Sequence, residues 1–104
     1  MLRHERNARA HLVFAVIAFV LGLLLKVSNA ELAAVFFAVI IVFLAEIFNT
    51  AIERTLDLVE PNEHPMVKTI KDMSAGAVLL AAVAAAMVGL AIFAPKLIGM
   101  VWGD

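Results

Sequence analysis

Residues 32–60 read LAAVFFAVIIVFLAEIFNTAIERTLDLVE, an unbroken apolar run from Leu32 to Ala45 followed by acids at Glu46, Glu53, Asp57 and Glu60. At about 100° per residue, Glu46, Asn49, Glu53, Asp57 and Glu60 fall within an arc of about 80° on one helix face. Val35, Val39 and Val42 continue that stripe in the other direction. The stretch is therefore a helix whose one face turns from apolar to acidic. A hydrocarbon core of about 30 Å takes about 20 mostly apolar residues to cross, so this helix can span a bilayer and carry its acids to one surface.

The rest of the chain has the same character. The 104 residues are 64% apolar and 16% charged, with a mean hydropathy of +1.03. Soluble domains average about 45–50% apolar and about 25% charged, so both values exclude an ordinary soluble globule. The absence of cysteine excludes a disulfide scaffold, and a net charge of -1 excludes nucleic-acid binding by bulk charge.

Two further spans flank the central one. The first runs from Leu12 and reaches its length by snorkelling flanks near Lys26. The third runs from about Ser74 to Ala94, ahead of Pro95 and Lys96. The expected layout is one all-α membrane domain over 1–104: a cytoplasmic interfacial segment 1–11, span 1 at 12–27, span 2 at 32–60 with a cytoplasmic extension, span 3 at 65–94 with a cytoplasmic start, and an external tail at 95–104. Ser28 and Asn29 supply a tight turn and a helix cap between the first two spans. Pro61 stops the second helix and Pro65 starts the third.

Arg3, Arg6, Arg9, Arg54, Lys68 and Lys71 lie on one side of this layout, and Lys26 and Lys96 on the other. The excess puts the N-terminus and the 54–72 region in the cytoplasm. A cleavable signal peptide is the competing reading of the first 30 residues, but Glu5 and Lys26 fit it poorly and another span begins at Leu32.

A carboxylate at the centre of a spanning helix costs a few kcal/mol and faces a bundle interior or a watered site. Glu46 is the deepest acid. Glu46 and Glu53 lie about 10 Å apart along the axis, which suits two roles in one cleft: a divalent cation near the surface and a proton acceptor deeper down. Hard oxygens favour Mg²⁺ over Zn²⁺. The plainer alternatives are a polar clasp between helices for Glu46, Asn49 and Glu53, a solvated helix end for Asp57 and Glu60, and surface salt bridges for Glu5 with Arg9 and for Lys68 with Asp72. Lys71 faces the same layer as Glu53 and could balance phosphate, although no glycine-rich phosphate loop exists. Ala77, Ala81, Ala85 and Gly89 form a ridge on which another helix can pack closely.

At Glu46-Ile-Phe-Asn-Thr-Ala-Ile-Glu53, then Asp57, His64 and Lys71-Asp-Met-Ser-Ala-Gly-Ala-Val-Leu79, the chain resembles the small prokaryotic diacylglycerol kinases, a family of integral membrane lipid kinases. Glu5-Arg-Asn-Ala-Arg-Ala-His-Leu12 is similar to that family's entry into its first span, and the likeness covers nearly the whole chain. The segment around Glu5 and the His64-Pro65 loop look more like the undecaprenol kinase branch.

The resemblance implies a homotrimeric helical bundle with three transmembrane helices per subunit, ATP as co-substrate, Mg²⁺ as cofactor and a membrane lipid as acceptor, in a bacterial cytoplasmic membrane. It implies Glu46 as the catalytic base, and Glu5 and Glu53 as Mg²⁺-linked carboxylates. Glu5, Asn49, Glu53, Glu63, His64, Lys71 and Asp72 would contact the nucleotide, and Asn7, Arg9, His11, Glu46 and Ala75 the lipid. The chain departs from the family pattern in opening only a few residues ahead of the Glu5 segment, where members carry an amphipathic surface helix, and in placing Glu63 where an aromatic residue is common. Two rival functions are a proton-coupled transporter using Glu46, which would need a path from both faces, and a non-catalytic assembly protein.

Overall fold

A computed structural model of the chain describes the backbone of residues 2–103 and the side chains of residues 9–103. It is built of three helices, α1 (Leu2–Leu24), α2 (Asn29–Val59) and α3 (Pro65–Val101), with no strand among the described residues. The helices form two successive hairpins that share α2, in a bundle of 59 × 22 × 20 Å. α2 packs along α3 for much of its length and more sparingly along α1, while α1 and α3 scarcely meet.

Two of the helices, α2 and α3, are long and apolar enough to cross a membrane. The apolar part of α1, Arg9–Leu24, is shorter. Very little apolar surface is buried within the chain. Among the described residues, the buried large apolar side chains are Val35, Val42 and Ile92, whereas Phe14, Phe37, Phe48, Leu80 and Leu90 are well exposed. In water such a surface would aggregate; in hydrocarbon it costs nothing.

Local chemistry sets the boundaries, and several fall elsewhere than expected. Residues 2–11, expected as an interfacial segment, are helical and continue without a break into the rest of α1. It ends at Leu24, not at 27. Val27 N–H bonds Gly22 C=O at 3.1 Å and Lys26 N–H bonds Leu23 C=O at 3.4 Å, the paired bonds of a left-handed helix stop. Lys26 occupies the left-handed position with φ 56°, a conformation usually left to glycine. Gly22 is where the turn folds back, because a Cβ there would meet Leu32 Cδ1 at 3.2 Å.

α2 begins at Asn29, three residues before Leu32, because Ser28 and Glu31 form a reciprocal cap. Ser28 Oγ accepts from Glu31 N–H at 3.1 Å, and Ser28 N–H donates to Glu31 Oε1 at 2.8 Å. Ser28 is thus the cap, and Asn29 is already helical. Glu31 sits ahead of the apolar run and also meets Lys96 Nζ at 3.3 Å.

At its far end α3 continues past Pro95. The expected external tail at 95–104 is helical as far as Val101, with Pro95 inside the helix. Proline there removes one backbone bond, the donor to Ala91 C=O, and spanning helices tolerate such a loss where neighbours hold the segment. Ile92 is buried one turn earlier and Lys96 is tied to Glu31 one residue later, so the helix is fastened on both sides of the proline.

Replacing Lys26 by Gly is expected to raise stability by about 1 kcal/mol, and replacing Ser28 by Ala to lower it by about 1 kcal/mol; thermal unfolding in detergent micelles checks both. The Ser28 amide, followed by Lys96, holds the Glu31 carboxyl below the usual carboxylate range. A carboxyl lowered on folding stabilises above its unfolded value of about 4.3 and loses that contribution as pH falls through the lower folded value. Melting temperature should therefore fall with acidification below about pH 4, and part of that fall should be missing in Glu31→Gln.

Candidate functional site

Where α2 gives way to α3, Glu60 is extended (φ −141°, ψ 90°) as the residue before Pro61 must be, and the helix stops. His64 then caps α3: its Nδ1 accepts from Met66 N–H at 3.1 Å, and Pro65 follows in the first turn. The two helix ends enclose a cleft of about 750 Å³ lined by Asp57, Glu63, His64, Lys68, Lys71 and Asp72 among others. Four of the residues expected at a nucleotide, Glu63, His64, Lys71 and Asp72, therefore converge on one opening.

Inside the cleft both lysines are paired with acids. Lys71 Nζ donates to Asp57 Oδ1 at 2.7 Å across the two helices, and Lys68 Nζ donates to Asp72 Oδ2 at 3.0 Å along α3. The second pair agrees with the surface salt-bridge reading. The first does not leave Asp57 as a merely solvated helix end. The Asp57 carboxylate holds the Lys71 ammonium above its usual range, outweighing a modest desolvation, with Glu53 adding to the effect. Lys71 is thus a fixed cation at the cleft wall.

The candidates Glu46, Asn49 and Glu53 lie along α2, outside the lining of that cleft. Glu46, Asn49 and Glu53 are all half-buried on the face that carries Val35 and Val42 inward. Asn49 Nδ2 donates to Glu53 Oε2 at 3.2 Å. Asn49 Oδ1 is shielded from solvent and has no hydrogen-bond partner among the described residues. His11 Nδ1 lies 3.0 Å from Glu46 Oε2, at ion-pair distance but not aligned as a hydrogen bond. Arg9 and Ala75 are exposed, and the side chains of Glu5 and Asn7 lie outside the described residues.

Among the described residues, no three histidine or acidic side chains gather closely enough to hold a metal ion. The donors that do lie together, the Glu53 carboxylate and the unpartnered Asn49 Oδ1, are hard oxygens of the kind Mg²⁺ takes. They fit part of a site that keeps several waters and substrate phosphates.

Beside this layer, an apolar groove of about 490 Å³ opens between α1 and α3 over α2, with His11, Phe14, Ala18, Phe43, Ala85 and Phe93 in its walls. It exists because α1 and α3 scarcely touch. His11 stands at the same level as Glu46, with its ring edge-on to Phe43, centroids 6.1 Å apart.

Residue types and spacing alone do not reveal the contacts His11–Glu46, Asp57–Lys71 and Glu31–Lys96. A signal for them exists in hairpin register. Equal rise along antiparallel helices sets His11 opposite Phe43, sixteen residues on either side of Val27, one turn from Glu46. The same count about the 61–64 turn brings Glu31 to the level of Lys96.

Residues 1–93 match the family model described as prokaryotic diacylglycerol kinase. The chain is 41% identical over 95 residues to an undecaprenol kinase of Bacillus subtilis (strain 168), covering 91% of this chain and 77% of that one. It is 36% identical over 97 residues to a diacylglycerol kinase of Synechocystis sp., covering 92% of this chain, and 33% identical over 79 residues to a diacylglycerol kinase of Pseudomonas aeruginosa, covering 76%. It spans 55% and 64% of the length of those two proteins. No solved structure matches it. With a family match over nearly its whole length and a relative 41% identical along most of both chains, the protein belongs to the prokaryotic diacylglycerol kinase family.

Proposed function

We propose that the chain is an ATP-dependent membrane lipid kinase that phosphorylates the hydroxyl of a lipid alcohol, undecaprenol in preference to diacylglycerol. The observation that carries this reading is a half-buried Glu46 in an otherwise apolar stretch of helix, within a chain whose residues 1–93 match a lipid kinase family. The preference for undecaprenol rests on the 41% identity to an undecaprenol kinase, against 36% and 33% to the two diacylglycerol kinases.

The cleft at the α2–α3 turn receives the nucleotide. Lys71 turns from Asp57 toward the phosphates and offsets charge on the transferring group, while Glu63, His64 and Asp72 border the nucleotide. Glu46 accepts the proton of the lipid hydroxyl as its oxygen attacks the terminal phosphorus and ADP departs. Asn49 fixes the Glu53 carboxylate by the 3.2 Å hydrogen bond. Glu53, with Glu5 and Asn49 Oδ1, would hold Mg²⁺, which when bound neutralises charge on the phosphates. Asn7, Arg9, His11 and Ala75 border the approach of the lipid from the bilayer.

The same reading takes α1 as a third span beside α2 and α3, short in apolar length and completed by snorkelling at Arg9 and Lys26. The N-terminus and the 54–72 region lie in the cytoplasm of a bacterial cell, following the distribution of basic residues. The subunits assemble as a homotrimer, which gives the exposed apolar faces of α1 and α3 protein neighbours as well as lipid.

Purified protein in lipid is expected to transfer radiolabelled phosphate from ATP to undecaprenol faster than to diacylglycerol. Glu46→Gln should lower kcat by at least about 100-fold while leaving the oligomer intact. Full turnover in that variant would remove Glu46 as the base, and lipid-independent solute flux without ATP consumption would remove the kinase reading. Lys71→Ala should raise the KM for ATP and lower kcat by about 10-fold or more, with lipid KM unchanged in the same assay.

A further inference from the structure

His11 is a polar residue in a poor place for one. Its Nδ1 is shielded from solvent, its ring is packed edge-on against Phe43, and its neighbours in the groove are apolar. The nearby polar atom is Glu46 Oε2 at 3.0 Å, and no hydrogen bond satisfies Nδ1 among the described residues. A buried donor left unmade is costly, so a contact at this distance needs a reason.

Glu46 is in a matching position. Asn49, the next polar residue on its face, spends its amide on Glu53, and His11 reaches Glu46 from the neighbouring helix. The two come from different helices, α1 and α2, which otherwise pack sparingly.

We propose that His11 is a positioning residue for Glu46: it holds Oε2 from across the α1–α2 interface and leaves Oε1 facing the lipid hydroxyl. This rests on the reading of Glu46 as proton acceptor. A small turn of the imidazole aligns Nδ1–H on Oε2, the kind of tightening that catalytic contacts undergo when substrate arrives. A lipid chain filling the groove drives that tightening by excluding water, which strengthens a polar contact.

In the transfer step the lipid O–H bond breaks and its proton passes to Glu46 Oε1. The lipid oxygen forms a bond to the terminal phosphorus as the bond from that phosphorus to the bridging oxygen breaks, and the electron pair leaves on ADP. His11 keeps its proton throughout and donates to Oε2.

The test is a set of variants assayed in lipid with ATP and undecaprenol. His11→Phe should lower kcat about tenfold or more while both KM values stay within about twofold, and His11→Asn, whose amide can take the place of Nδ1–H, should return kcat to within about threefold of the parent. In the Glu46→Gln background, His11→Phe should add no further loss, because residues acting through one another are not additive. A raised lipid KM with kcat intact, equal impairment of Phe and Asn, or additive losses would each overturn the proposal. Should the Phe variant not assemble, His11→Ala takes its place, and equal activity of Ala and Asn overturns it. Glu46→Gln inactive with His11→Phe fully active sinks this proposal alone, whereas an active Glu46→Gln sinks the base assignment and this proposal together.

Discussion

Every close acid–base side-chain contact described between one helix and another has its acid on α2: Glu46 with His11 of α1, and Glu31 and Asp57 with Lys96 and Lys71 of α3. That follows from the cost of setting carboxylates on a helix built for hydrocarbon. An unpartnered acid deep in a bilayer costs a few kcal/mol, and Glu46, the deepest of the three, is met there by His11. The pairs near the two ends, Glu31–Lys96 and Asp57–Lys71, fix the rise of α3 along α2. Between them, the Asn49–Glu53 bond ties off the acidic stripe within α2 itself.

Apolar packing does comparatively little. The three large side chains buried among the described residues could not hold the helices together in water, where a domain of this length buries well over half of its unfolded surface. In a bilayer the hydrophobic effect acts before assembly, by keeping the helices in hydrocarbon, and association rests on close contact and polar pairs. Ala81, Ala85 and Gly89 are half-buried as that scheme requires, whereas Ala77 is exposed and contributes no ridge within this chain. The loose fit of α1 is the counterpart: it leaves a groove along the bundle that a better-packed core would have filled.

The helices and their breaks were legible because each rests on a local signal. An apolar run, a proline pair at Pro61 and Pro65, and acids repeating at helical spacing are all properties of neighbouring residues. The helix starting at Asn29 was equally local, since Ser28 and Glu31 have the spacing of a reciprocal cap, but the apolar onset at Leu32 is the louder feature. Pro95 misled for the opposite reason. A proline stops a helix only where nothing else holds it, and what holds this one, the contact of Lys96 with Glu31, lies 65 residues away in the chain. The candidate site divides likewise: the face of α2 can be drawn from spacing, whereas the pairing of Asp57 with Lys71 and of His11 with Glu46 depends on hairpin register.

The cap at His64 fixes more than the start of α3. Because Nδ1 accepts from the Met66 amide, it cannot carry the proton of the neutral ring, so the hydrogen resides on Nε2. That nitrogen, on an exposed residue at the cleft, is then a hydrogen-bond donor and has no lone pair to offer. The loop histidine can recognise an oxygen or an unprotonated ring nitrogen of whatever occupies the cleft. It can neither ligate a cation nor take a proton without first uncapping the helix that positions Lys71.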